Sequence, residues 1–106
     1  MDKKNDAIIP MLKEFKKKAG KKIKLDKLIF FGSRATGKSK KNSDVDLLLI
    51  SKKFKGKKHF KRSPLFYLIW DYPYDADILC LTPEELKKKM GQIGVVKQAV
   101  KEGIEI

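Results

Sequence analysis

At 106 residues the chain has room for one domain, one sheet and a few helices, and none for a separate substrate-binding domain. No apolar run approaches the ~20 residues that span a bilayer, MDKKND carries no apolar signal core, and the lone Cys80, inside an apolar run, reads as a buried reduced thiol; the expected location is cytoplasmic. The formal charge of +13 favours anionic partners, yet all but Arg34 and Arg62 of the basic residues are lysine, as on many solvated surfaces, and no aromatic-interleaved basic motif of the RRM or KH kind is visible, so nucleic acid is not the favoured partner.

The first expected element is a helix, capped by Asn5 or Asp6, with Pro10 tolerated in its first turn. Ile8, Leu12, Phe15 and Ala19 recur at helical spacing, and Gly20 is expected to end the stripe after the basic turn Lys16-Lys17-Lys18. Lys27 to Phe31 reads as the first strand and Val45 to Ile50 as the second. The run Leu47 to Ile50 does not alternate, so this strand should be covered on both faces. Ser51 to Lys61 reads as a charged, mobile loop around Gly56, with His59 exposed among lysines.

Pro64 to Trp70 predicts a short helix with Pro64 in its first turn. Asp71-Tyr72-Pro73-Tyr74 breaks the chain, and Ala76 to Leu81 is the third strand. Trp70, Tyr72 and Tyr74 are expected to close one end of a core rather than stack a base. Thr82-Pro83-Glu84-Glu85 combines a capping threonine, a proline at the first helical position and the glutamate of a capping box. That helix should reach about Met90. A last helix follows through Val95, Val96 and Val100, then Gly103, and Ile104-Glu105-Ile106 suits an edge strand. The order implies α/β or α+β, with a small mixed β-sheet and helices packed on it.

The chemistry concentrates between Phe30 and Ile50. Gly32-Ser33-Arg34-Ala35-Thr36-Gly37-Lys38-Ser39 matches the pattern of a P-loop. A P-loop needs a helix after it that crosses back to a parallel strand. Only Lys40 to Ser43 separate Ser39 from Asp44, which is too short for that crossover. Asp44 and Asp46, by contrast, alternate with Val45 and point the same way at the mouth of a strand. Paired carboxylates repel unless a cation sits between them, and Mg²⁺ favours carboxylate and phosphate oxygens. Among Asp71, Asp75 and Asp77 as a third acid, Asp77 lies inside a strand run, where position is best fixed; Asp75 is the alternative.

Gly-Ser followed by Asp-x-Asp resembles the nucleotidyltransferase superfamily of the DNA polymerase β type, and more closely the minimal nucleotidyltransferases (MNT proteins) paired with HEPN-domain partners. The similar residues are Phe31-Gly32-Ser33-Arg34-Ala35, Ser43-Asp44-Val45-Asp46-Leu47-Leu48, Asp75-Ala76-Asp77-Ile78-Leu79 and the final Lys101 to Ile106. The resemblance implies a polymerase β-like fold, ATP as substrate, and two Mg²⁺ ions held by Asp44, Asp46 and Asp77. It implies that Gly32 lets backbone approach a phosphate, that Ser33 offers its amide and hydroxyl to the β/γ end, and that Arg34 neutralises the phosphates. Lys38, Lys40 and Lys41 would form a positive flank. The implied activity is transfer of AMP to a hydroxyl, a tyrosine of a HEPN ribonuclease, by the antitoxin of the pair. Two other classes remain: a binding-only antitoxin module with an idle site, and a P-loop-like nucleotide hydrolase.

Overall fold

The structure is a computed structural model that describes residues 7–37 and 44–106. In chain order it contains α1 (Ile8–Lys22), β1 (Lys27–Phe31), β2 (Val45–Ile50), a 3-10 turn (Lys52–Phe54), α2 (His59–Arg62), α3 (Pro64–Ile69), β3 (Ala76–Leu81), α4 (Pro83–Met90), α5 (Val95–Glu102) and β4 (Ile104–Glu105). The strands form one mixed sheet in the order β3-β2-β1-β4. β1 runs antiparallel to both β2 and β4, whereas β2 and β3 are parallel. This parallel pair is joined by the 3-10 turn, α2 and α3.

Alternation along the strands divides the core between the two faces of the sheet. Leu28, Phe30, Val45, Leu47, Leu49, Ile78 and Cys80 pack with the α1 stripe Ile8, Leu12, Phe15 and Ala19 and with Phe66 of α3. On the other face, Ile29, Leu48, Ile50 and Leu81 pack with Val96 of α5, and Leu86 of α4 lies against them. Leu47 to Ile50 are therefore all buried, as their unbroken apolar run requires. Trp70 and Tyr72 pack edge-on against Phe15, and the Trp70 indole donates to the Tyr74 carbonyl at 2.7 Å. This aromatic group closes one end of the core.

The capping box at α4 forms as its residues dictate. The Thr82 hydroxyl accepts from the Glu85 amide at 3.1 Å, and the Glu85 carboxylate accepts from the Thr82 amide at 2.8 Å. The expected edge strand is β4, tied down by the Ile106 amide on the Leu28 carbonyl and by Lys16 Nζ on the Ile106 carbonyl.

Two expectations are corrected. Gly20 does not end α1, which runs to Lys22 and stops at the extended Ile23. A glycine terminates a helix when its φ turns positive, and Gly20 is not among the positive-φ glycines. The segment Ser51 to Lys61 is not a loose loop either. Phe54 is fully buried and packs edge-on against Phe66, while Gly56, with φ +82°, makes the turn into α2. Arg62 then pins α2: it is 6% exposed, donates to the carbonyls of Lys57 and Cys80, and grips both Glu85 oxygens. His59 is exposed, as expected, with its Nε2 at 3.6 Å from Glu85. The proposed caps Asn5 and Asp6 lie outside the described residues, as do Lys38, Ser39, Lys40, Lys41 and Ser43.

Candidate active site

The site is built where β2 and β3 begin. Their parallel register sets Val45 beside Ala76 and Asp46 directly beside Asp77. Asp46 shares its sheet face with Leu48 and Ile50, and Asp77 shares it with Leu79 and Leu81. Further along the strands this face is covered by α4 and α5. At the strand starts that cover is missing, leaving Asp77 exposed and Asp46 half-buried. Asp44, exposed and one residue ahead of β2, is close enough for its charge to act on Asp46.

The three carboxylates leave Asp46 electrostatically uncomfortable. Burial first, then the charge of Asp77, then that of Asp44, push its carboxyl above the usual carboxylate range. Among the described residues no cation lies within ion-pair distance of any of the three. Neither do three acidic, histidine or cysteine side chains already stand gathered as a metal cage. Asp75 lies just outside β3 and is exposed, while its carbonyl accepts from the Val45 amide at 2.8 Å. It thus aligns the two strands through its backbone.

Gly32 is the other half of the site. Phe31 is paired with Asp46 across β1 and β2, so the residue that follows Phe31 lies against that carboxylate. A Cβ on Gly32 would meet Asp46 Oδ2 at 2.0 Å, and Gly32 also holds φ at +83°. The backbone therefore favours glycine, and an added Cβ would displace the Asp46 carboxylate. From Gly32 the chain turns through Gly37. The Gly32 carbonyl accepts from the amides of Ala35 and Thr36, and the Thr36 hydroxyl donates to the Ser33 carbonyl at 3.2 Å. Arg34 reaches across to Tyr74, its guanidinium carbon 5.0 Å from the ring centroid, so it spans from the turn to the approach to β3.

A cleft of about 380 Å³ opens beside this turn, between the end of β1 and α5, lined in part by Phe31, Gly32, Ser33, Thr36, Gln98 and Glu102. The three aspartates do not line it. Thr36, Gln98 and Glu102 were not candidates from the sequence. The signal for the last two is a polar pair four residues apart on α5, where Gln98 donates to Glu102 at 3.4 Å. Nothing in the sequence says that this pair faces the turn.

The geometry also decides against the P-loop. β1 and β2 are antiparallel neighbours, so no helical crossover to a parallel strand follows the glycine-rich turn. Instead, an antiparallel pair and a parallel third strand share one mixed sheet. The chain matches the nucleotidyltransferase domain family over residues 12–104 and belongs to that family. Its fold is similar to that of a protein from Sulfolobus solfataricus provisionally named a nucleotidyltransferase, with a TM-score of 0.70 and 22% identity, covering 96% of this chain and 81% of that one. No curated protein matches the chain. Domains of this family act on nucleoside triphosphates and in general use divalent metals. Among the described residues no helix is long and apolar enough to cross a membrane.

Proposed function

We propose that the whole chain acts as a single Mg²⁺-dependent domain that transfers AMP from ATP to a hydroxyl on a partner protein, a tyrosine of a HEPN ribonuclease, as the antitoxin of such a pair. The observation that carries the reading is the in-register pairing of Asp46 with Asp77, with Asp46 packed on Gly32. An all-oxygen donor set of three acids, one half-buried and without a cationic partner among the described residues, fits a hard divalent cation. Asp44, Asp46 and Asp77 would hold two such ions. Bound Mg²⁺ supplies charge neutralisation on the phosphates and a lowered pKa for the attacking hydroxyl.

The chain's own residues do the rest. Gly32 keeps side-chain bulk away from the phosphates, Ser33 offers amide and hydroxyl to the β/γ end, and Arg34 balances the charge that grows on pyrophosphate. The acceptor oxygen bonds to the α-phosphorus, and the bond to the bridging oxygen of pyrophosphate breaks. The acceptor proton passes to a carboxylate of the site. The HEPN partner rests on the resemblance of Phe31 to Ala35, Ser43 to Leu48 and Asp75 to Leu79 to the MNT proteins.

The test incubates the protein with α-labelled ATP, Mg²⁺ and the HEPN protein encoded beside it. Label should reach the partner and vanish with the Asp44→Asn/Asp46→Asn variant. Label that never reaches the partner, or reaches it without the carboxylates, defeats the reading. A second reading, a binding module with an idle site, is favoured by the lack of a ready-made metal cage among the described residues. It predicts that toxin neutralisation and complex formation survive loss of the carboxylates.

A further inference from the structure

From Leu47 to Trp70 the chain has no acidic residue and six lysines, all exposed. Within this stretch Phe60 stands 70% exposed on α2, between Lys58 and Lys61. An isolated exposed apolar side chain needs no explanation. Phe60 differs because its scaffold is fixed. Arg62, two residues on and therefore roughly 200° around the helix, is buried and held by Lys57, Cys80 and Glu85. With Arg62 locked inward, the Phe60 ring is aimed outward. Lys88 and Lys89 of α4 extend the positive field: they share a hollow of about 270 Å³ with His59.

The nearby acids do not cancel this field. Glu85 is committed to Arg62, and Glu84 lies in a separate hollow beside Lys52 and Lys55. The charge complement of Lys57, Lys58 and Lys61, with Lys88 and Lys89 beside His59, is thus a polyanion, and an outward ring on the same short helix suits a flat partner. Single-stranded nucleic acid combines the two, with phosphates for the lysines and unpaired bases for the ring.

We infer that the exposed surface of α2 around Phe60, flanked by Lys57, Lys58 and Lys61, binds single-stranded nucleic acid. This surface is distinct from the candidate active site. It lies at the C-terminal end of β2 and β3, whereas Asp46 and Asp77 lie at their start, roughly 13 Å away along the strand. It does not depend on the transferase reading.

The test is fluorescence anisotropy with labelled oligouridylate of about 15 nucleotides, titrated at several salt concentrations. The wild type should bind, and affinity should fall with salt. Phe60→Ala should weaken binding about five- to thirtyfold and leave the salt slope unchanged, because stacking is not ionic. Lys57→Ala/Lys58→Ala should lower the slope by about 1.4, at about 0.7 per phosphate contact. Melting temperatures of both variants should match the wild type, since both alter exposed side chains. No binding at low salt overturns the inference. So does a Phe60→Ala variant that binds as the wild type does, which would leave only diffuse lysine attraction. Equal competition by polyglutamate overturns it as well and identifies an acidic protein surface as the better partner.

Discussion

Replacing Gly32 by alanine probes the contact on which the candidate site is built. Two costs should arise. An alanine at φ +83° pays about 1 kcal/mol for left-handed backbone. Its Cβ would also stand 2.0 Å from Asp46 Oδ2, so the carboxylate must retreat by more than an ångström. We expect Gly32→Ala to destabilise the protein by about 2–3 kcal/mol in total. In an Asp46→Ala background the carboxylate is gone, and only the backbone cost of about 1 kcal/mol should remain. The double-mutant cycle, read from urea denaturation followed by circular dichroism, should therefore show a coupling of about 1–2 kcal/mol. Catalytically, a shift of that size should lower transfer of α-label by at least about a hundredfold. Additive effects in the cycle would refute the packing argument. Near-normal transfer by Gly32→Ala would refute the claim that this packing serves the chemistry.

Other predictions concern charge and capping. Asp46 is held above its ordinary range, so its ionised form opposes folding: relative stability is present below pH 3.8 and is lost as pH rises through the higher folded value. Asp46→Asn should thus melt higher than the wild type at neutral pH without divalent ions, and Mg²⁺ should raise the wild-type melting temperature but not the variant's; calorimetry checks both. Glu85 behaves oppositely. The Arg62 guanidinium above all holds it down at about 2, so its contribution is present above pH 4.5 and fades as pH falls toward 2. Because Glu85 is 32% exposed, solvent reduces the contribution to roughly 1–2 kcal/mol, and Glu85→Gln should lose that much at pH 7 while converging with the wild type in acid melts. Thr82→Ala removes one arm of the capping box and should cost about 1 kcal/mol in urea denaturation. Burial pushes the Cys80 thiol up to about 12, so a thiol reagent should label it only on unfolding, as mass spectrometry of pulse-labelled protein would register.

The strands were legible because each is a short apolar run between turn-forming or charged residues. Lys27 to Phe31, Val45 to Ile50 and Ala76 to Leu81 carry the limits they were expected to have. α4 was legible through Thr82 and Glu85, whose local chemistry needs no distant partner. Gly20 misled because glycine permits a helix end without requiring one. The stretch after Ser51 misled because its lysines hide two inward residues, Phe54 and Arg62, whose partners Phe66 and Glu85 lie 12 and 23 positions further on. The candidate site was legible only in part. Alternation places Asp44 and Asp46 together, but the alignment of Asp46 with Asp77 follows from which strands become neighbours. The fit of Gly32 against Asp46 likewise depends on the β1–β2 register.

The most direct measurement is anomalous diffraction from crystals grown with Mn²⁺ and a non-hydrolysable ATP analogue. The account predicts metal peaks among the carboxylates of Asp44, Asp46 and Asp77, with the β/γ phosphates over Gly32 and Ser33. Peaks confined to the triphosphate, or Asp77 turned away from a metal held elsewhere, would contradict it.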